Sequence, residues 1–195
     1  MDEKEKQMED MLRQGFIYIN RFMLVMWRLG LGPWVNIWPA VIGRIMVITH
    51  KGRKSGLSRQ TPVNYTIIDR DIYCTAAFGE KSDWYQNMMQ NPEVEVWLPG
   101  SWWEGLAQDI SDSEMRSPYL RQVLIASGFA ARAVGINPHT MPDDKFEEVT
   151  ESYRLIRIQR REARTGKGGP GDLAWVWPVT TMILLSVVFL MKKRK

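Results

Sequence analysis

The chain has 195 residues, 45% apolar and 25% charged, which suits one folded domain with a real core and excludes a disordered chain. Its net charge of +4 is unevenly placed: residues 1–153 hold 16 basic and 20 acidic side chains, whereas residues 154–195 hold 10 basic and two acidic ones. A basic face on the folded domain is therefore not expected, which argues against nucleic acid as a partner.

Residues 4–29 form the first predicted element, a helix. Its apolar residues recur close to the helical period, and its second half is apolar on most faces. It is too short and too interrupted by polar residues to span a bilayer. Two roles stay open and can hold together. The helix covers one end of the core, or it lies on a membrane surface, where Phe16, Phe22 and Trp27 form an apolar approach for a substrate.

Short strands follow a Gly-, Pro- and Trp-rich loop at 30–43, and turn signals separate them. Six are predicted: Ile45–His50, Gln60–Ile68, Ile72–Ala77, Val94–Leu98, Trp102–Ile110 and Tyr153–Gln159. Helices are predicted at Ser82–Gln90 and Asp112–Ser127. Meandering strands of this kind favour an α+β fold around a small antiparallel barrel over a parallel α/β sheet.

An uncharged apolar segment, Leu173–Met191, lies near the C-terminus behind a Gly-rich stretch that is typical of a flexible spacer. At about 1.5 Å per residue a helix here would reach roughly 28 Å, close to the hydrocarbon thickness of about 30 Å. Trp175 and Trp177 stand at one end and Lys192–Lys195 at the other, as at membrane interfaces. We therefore expect a single-pass transmembrane helix, and the bias of basic residues favours a cytoplasmic domain.

The densest polar cluster lies at the turn between the first two strands. Lys51, Arg53, Lys54 and Arg59 bring four cations together with two glycines that let a ligand approach the backbone. Such groups suit phosphates or carboxylates, although an exposed turn is also often basic for solubility alone. A second anion site is predicted at the start of the next helix, Ser82–Tyr85, where backbone amides are free.

Several chemistries find no support in the sequence. No G-x-S-x-G elbow and no G-x-G-x-x-G after a strand is present, which argues against a serine hydrolase and a Rossmann nicotinamide site. The two histidines, His50 and His139, are too few for the usual zinc sites, and no metal is expected. Cys74 is the only cysteine, so no internal disulfide can form, and its place within a strand predicts a buried, inert thiol.

The run VITHKGRKSGLSRQTPVNY, followed by a strand and by DWYQNMMQNPEVEV, resembles the deazaflavin-dependent nitroreductase and quinone reductase family. The resemblance covers about residues 40–110 well and depends on an ordered set, G-R-K-S-G-x-x-R-x-x-P, then W-Y-x-N, then N-P-x-V. It implies a split β-barrel of the FMN-binding type and hydride transfer from reduced coenzyme F420 to an apolar acceptor such as a quinone or nitro compound. FMN stays open as the cofactor, and a non-catalytic flavin- or lipid-binding barrel stays open as the function.

The resemblance also implies which residues bind the cofactor. The phosphate and polyglutamate tail would lie on Arg53, Lys54, Ser55, Arg59, Gln60, Thr61, Pro62, Val63 and Asn64. The ring system would run beside Thr75, Ala76, Ala77 and Phe78, and the helix start would complete the site with Asp83, Trp84, Tyr85, Gln86 and Asn87. No catalytic residue is assigned. Tyr119 and Tyr153 are the candidates for the tyrosines that some relatives supply from their C-terminal helical region.

The predicted organisation is an N-terminal amphipathic helix at 1–35, a split-barrel domain at 36–163, a Gly-rich linker at 164–172, the transmembrane helix at 173–191 and a basic tail at 192–195. Membrane lipid and a small apolar acceptor are the expected partners. Split barrels often pair across a sheet face, which leaves a homodimer open.

Overall fold

The computed structural model describes residue 15 and residues 18–193. Predictions that fall on residues 1–14, 16, 17, 194 and 195, Phe16 among them, lie outside the described residues. Helices occupy residues 18–28 (α1), Gly32–Val35 (α2), Asp83–Gln90 (α3), Arg116–Ala126 (α4), Phe129–Ala133 (α5), Asp143–Val149 (α6) and Val176–Lys192 (α7), with a 3-10 turn at Gly79–Lys81. Strands occupy Ile45–Lys51 (β1), Ser58–Ile68 (β2), Asp71–Ala76 (β3), Glu93–Leu98 (β4), Ser101–Asp109 (β5) and Arg154–Ala163 (β6).

The six strands close into an antiparallel barrel in the order β1-β2-β3-β6-β5-β4. Short turns join three pairs of neighbouring strands, β1 with β2, β2 with β3 and β4 with β5. Strand β6 inserts between β3 and β5, and β4 pairs with β1 to close the barrel. The predicted α+β barrel with peripheral helices is therefore confirmed. Closure matters because it leaves no unpaired edge along most of the sheet.

Alternating side chains of each strand divide the apolar residues between the barrel interior and its outer face. Met46 and Ile48 of β1 point inward and pack with residues of every other strand and with Met88 of α3. On the outer face, Val47 packs against Trp97 and Trp27, so α1 covers the barrel at its C-terminal end. Trp27 is thus a core residue and does not form part of an apolar approach.

A second outer cluster joins β3 and β6 to helices α4–α6, with Leu120, Phe146 and Leu155 fully buried. The sequence predicted a longer helix here, Asp112–Ser127. The helix begins only at Arg116, because Pro118 lacks an amide hydrogen and is tolerated in the first turn alone. Helices α5 and α6 were not predicted, since each is too short to show a helical period.

The Gly-rich stretch at residues 164–172 packs against the domain, which distinguishes it from a plain spacer. Gly169 is buried, and the amide of Gly171 donates to the carbonyl of Trp27 at 3.0 Å. Arg28 and Asp172 form an ion pair with a nitrogen–oxygen distance of 2.9 Å. We call residues 164–175 the strap, because they tie the start of α7 to α1.

Among the residues that the structure describes, no helix is both long enough and apolar enough to cross a membrane. The predicted transmembrane helix at Leu173–Met191 is therefore not found. Turns of the strap continue to Trp175, where the Leu173 amide donates to the carbonyl of Arg28 at 2.8 Å, so the helix begins only at Val176. Its 17 residues rise about 26 Å.

Candidate functional site

The turn at residues 52–57 between β1 and β2 carries the predicted anion-binding cluster. Its backbone closes through two bonds, from the Gly52 amide to the carbonyl of Leu57 at 2.9 Å and from the Gly56 amide to the carbonyl of Gly52 at 2.8 Å. Gly56 adopts φ +66°, a conformation that costs glycine little. The turn therefore has a defined shape that presents its side chains at one end of the barrel.

Arg53 ties this turn to helix α3. Its backbone amide and its Nη1 each donate to Oδ1 of Asn87 at 3.0 Å, and its Nη2 lies 2.9 Å from Oδ1 of Asp83. Asn87 is 3% exposed, so these bonds are sheltered from water. Arg53 and Asn87 thus hold together the basic turn and the start of α3, the two segments predicted to bind a ligand. The carboxylate of Asp83 neutralises part of the charge of Arg53.

Lys54 and Arg59 remain available for an anionic ligand. Both side chains are exposed, and neither forms an ion pair with any carboxylate in the described part of the chain. Lys54 lies in the turn and Arg59 is the second residue of β2, so both cations stand at the same end of the barrel. A group with several negative charges is the chemistry that such a pair attracts.

His50 lies beneath the turn, facing the barrel interior. Its Nε2 is 3.1 Å from Oγ1 of Thr61 and its Nδ1 is 3.3 Å from Nδ2 of Asn87. Burial, and then the charge of Arg59, lower the pKa of His50 to about 4, so the ring is neutral at physiological pH. From the sequence His50 is a candidate only for a metal ligand, whereas the fold shows it as a buried ring between Thr61 and Asn87.

The sheet opens between β2 and β3 beside this cluster. Their pairing ends at Tyr65 and Cys74, and the preceding residues of β2 pair with β1 alone. After β3 ends at Ala76, the exposed Ala77 and Phe78 continue along the opening. Strand alternation directs Arg59, Thr61 and Val63 toward the interior side, since each lies opposite an inward residue of β1.

Helix α3 covers the mouth of the barrel. Trp84 is half-buried and packs against the interior cluster, whereas Tyr85 is buried and donates its hydroxyl hydrogen to Asp109 of β5. Burial, together with that bond, raises the pKa of Tyr85 above its usual range. The predicted second anion site at this helix start contains Asp83, whose carboxylate already faces Arg53.

The structure places most of the predicted cofactor residues around the basic turn, the opening and α3. Gln60, Pro62 and Asn64 alternate to the outer side of β2, where Nδ2 of Asn64 donates to the carbonyl of Arg44 at 3.2 Å. The predicted residues also differ in how much of each side chain a ligand could reach. The buried ones are Ala76, Tyr85 and Asn87. The half-buried ones are Arg53, Gln60, Thr61, Pro62, Val63, Asn64, Thr75, Trp84 and Gln86. The exposed ones are Lys54, Ser55, Arg59, Ala77, Phe78 and Asp83.

The two candidate tyrosines pack elsewhere. Tyr119 of α4 meets Tyr73 edge to face with ring centroids 4.9 Å apart, and Tyr153 belongs to the same outer cluster. Cys74 is fully buried, as predicted, and burial raises the pKa of its thiol.

A polar groove of about 410 Å³ borders the basic turn on the outer face of β1, β4 and β5. Two of its three acids are already paired, since Arg164 lies 3.0 Å from Glu95 and 2.7 Å from Glu104. No group of three or more potential metal-ligating side chains occurs in the chain as far as it is described.

Comparison with known proteins matches most of this region of the sequence to a family. The sequence profile described as F420H(2)-dependent quinone reductase matches residues 26–141, which include the basic turn, the opening and α3. Comparison with curated protein sequences gives no match.

Solved structures with a similar fold include a conserved hypothetical protein from Mycobacterium tuberculosis, 19% identical over 69% of this chain and 80% of that one, with a TM-score of 0.46. An F420-H2 dependent reductase is 19% identical over 60% of this chain and 94% of that one, with a TM-score of 0.42. The heme storage protein HutZ from Vibrio cholerae is 11% identical over 66% and 89%, with a TM-score of 0.44.

Proposed function

Since the chain belongs to the F420H(2)-dependent quinone reductase family, we propose that it transfers a hydride from reduced coenzyme F420 to an apolar acceptor, a quinone or a nitro compound. Membership of this family confirms two predictions, that the protein is an oxidoreductase and that its cofactor is coenzyme F420. FMN, the alternative cofactor, is set aside on the same ground.

One observation carries the proposal: Lys54 and Arg59, both exposed and without acidic partners in the described chain, stand at the polar end of an opening in the barrel. Coenzyme F420 has a phosphate and a polyglutamate tail, and such a chain of anions needs cations that are not already neutralised. The residues therefore fit the anionic part of this cofactor.

The surrounding residues would divide the work of binding. Arg53 and Asn87 hold the turn against α3, which fixes the backbone of the turn before the ligand arrives and lowers the entropic cost of binding. The exposed Ala77 and Phe78 and the half-buried Trp84 would flank a planar ring and limit the access of water to it. The protein thus supplies orientation and electrostatics, while the bound cofactor supplies the hydride chemistry.

Fluorescence titration of the full chain with coenzyme F420, and separately with FMN, tests this proposal. We expect F420 to bind more tightly than FMN, and Lys54→Ala and Arg59→Ala each to weaken F420 binding about tenfold, as for the loss of a charge-assisted hydrogen bond. Lys145→Ala on α6 is the control, because it removes the same charge from an exposed position outside the site. Equal weakening in the control, or tighter binding of FMN, would contradict the proposal.

We further propose that the protein works at the surface of the cell membrane, with its barrel in the cytoplasm. Every large apolar side chain of α7 from Val179 to Met191 is exposed on all sides of the helix, an arrangement that suits hydrocarbon better than a protein groove. Trp175 and Trp177 precede this surface, and Lys192 ends the helix, as aromatic and basic anchors do at an interface. Tyr18 and Phe22 of α1 are exposed apolar side chains as well.

A lipid location also suits the proposed acceptor. Quinones of apolar character dissolve in the bilayer, so a barrel that rests on the bilayer meets them at their highest concentration. This supports an apolar acceptor over a polar one.

A further inference from the structure

We propose that Asn87 and His50 are positioning residues that fix the hydroxyl of Thr61 as a hydrogen-bond donor to an oxygen atom of the bound cofactor. The identity of the cofactor rests on the proposed function, whereas the relay of hydrogen bonds belongs to the folded chain itself. Each step of the relay follows from the donors and acceptors present.

Arg53 sets the direction of the first step. Its backbone amide and its guanidinium can only donate hydrogen bonds, and both lie 3.0 Å from the same oxygen, Oδ1 of Asn87. The side-chain oxygen of Asn87 is thereby committed to Arg53. Its nitrogen, Nδ2, carries two hydrogens and must face His50 as a donor.

His50 extends the relay from Asn87 to Thr61 with the same direction of hydrogen-bond donation. Because Nδ2 of Asn87 donates, Nδ1 of His50, 3.3 Å away, must accept and cannot carry a hydrogen. A neutral imidazole has one hydrogen, which therefore lies on Nε2. Nε2–H then donates to Oγ1 of Thr61 at 3.1 Å. His50 is 3% exposed, so water does not compete for these bonds.

Thr61 ends the relay with a free hydrogen. Its oxygen accepts from His50, and its hydroxyl hydrogen has no acceptor among the residues that the structure describes. Thr61 is half-buried in β2, beside the opening and two residues from Arg59. With one of its two lone pairs accepting from His50 and its hydrogen unpaired, the hydroxyl can donate to a ligand acceptor, such as a phosphate, carboxylate or carbonyl oxygen.

The first test reads the relay without any cofactor. A long-range proton–nitrogen correlation spectrum of the ligand-free protein reports which ring nitrogen of His50 carries the hydrogen, and a His139→Gln variant assigns the signals. We expect hydrogen on Nε2 in the unaltered protein. In Asn87→Asp, which keeps an oxygen for Arg53 but has no donor for His50, we expect hydrogen on Nδ1. Hydrogen on Nδ1 in the unaltered protein would overturn the relay.

The second test measures the dissociation constant of coenzyme F420. Thr61→Val, which keeps the shape of the side chain but removes the donor, should weaken binding about tenfold, while Thr61→Ser should stay within about twofold of the unaltered protein. In the unaltered protein, Asn87→Asp should raise the dissociation constant of F420. In the Thr61→Val background, the factor by which Asn87→Asp raises this constant should be about ten times smaller, because both changes remove the same donor.

Equal losses for Thr61→Val and Thr61→Ser, or fully additive losses for Asn87→Asp and Thr61→Val, would overturn the role of Thr61. If the unaltered protein binds no F420, the proposed function fails, and the ring tautomer of His50 still decides whether the relay exists.

Discussion

His50 connects the stability of the protein to pH. Its pKa is lowered to about 4 in the folded chain, against about 6.5 when exposed. Well above pH 6.5 the ring is neutral in both the folded and the unfolded chain and does not change the free energy of unfolding. As the pH falls toward 4, the unfolded chain takes up a proton that the folded chain refuses, so the free energy of unfolding decreases.

We expect this one group to remove about 3 kcal/mol from the free energy of unfolding between pH 7 and pH 4. Urea denaturation at several pH values measures the effect. His50→Gln should lower the pH dependence in that window, whereas His139→Gln, which alters an exposed histidine, should leave it unchanged. Equal pH dependence in His50→Gln and the unaltered protein would contradict the neutral, buried state of this ring.

The sequence predicted which charged residues belong to the site, but it did not predict which of them are paired within the protein and which are free for a ligand. Lys54 and Arg59 were predicted ligand residues and are exposed without an acidic partner in the described chain. Arg53 was predicted in the same way, yet its guanidinium faces Asp83 and Asn87 from α3. That pairing joins residues 30 or more positions apart, and no local pattern encodes it.

At the scale of elements, the strap is the least expected feature. Its amide and ion-pair contacts hold α7 to α1, and Gly169 lies flat against the ring of Trp102. A methyl group built on Gly169 would lie 2.5 Å from Cε3 of Trp102, which is closer than any real contact.

We therefore expect Gly169→Ala to loosen the strap. In hydrogen exchange, the amides of Gly171 and Leu173 should lose at least about tenfold in protection, since their acceptors lie on α1. Lys167→Ala is the control within the strap, because this side chain is exposed. Unchanged protection in Gly169→Ala would mean that the contact with Trp102 does not hold the strap.

The elements that the sequence predicted are those with a strong local pattern. Alternating apolar residues and turn signals located all six strands, including β6, which is distant in sequence from its neighbours β3 and β5. The Gly-rich composition of the strap predicts a flexible spacer and does not reveal its contact with Trp102, some 67 positions earlier. Composition predicts the local flexibility of a segment but does not predict which residues the segment packs against.

The whole molecule combines a barrel of balanced charge with an apolar projection. α7 is tied to the end of α1 at its first turn, where Nε1 of Trp177 donates to the carbonyl of Leu29 at 2.9 Å. We therefore expect the two helices to meet a lipid surface together, without unfolding of the barrel.

Flotation of the full chain with lipid vesicles measures this property. We expect binding to vesicles of phosphatidylcholine, and tighter binding when phosphatidylglycerol is added, since each basic residue near an anionic surface contributes about 1 kcal/mol. Leu185→Asp combined with Phe189→Asp should lower binding at least about tenfold. Ile67→Asp, an exposed apolar position on β2, should not. Equal binding of all three proteins would refute the proposed membrane location.

Turnover shows most directly whether the protein transfers a hydride from coenzyme F420 to a quinone. Reduced coenzyme F420 is mixed with the full chain and a menaquinone-type acceptor, and the return of the oxidised cofactor is followed by absorbance. We predict steady oxidation that requires both protein and quinone, with a raised KM for the cofactor in Lys54→Ala and Arg59→Ala and an unchanged KM in Lys145→Ala. Tight binding of F420 without acceptor-dependent oxidation would contradict this account and leave a barrel that binds the cofactor without using it.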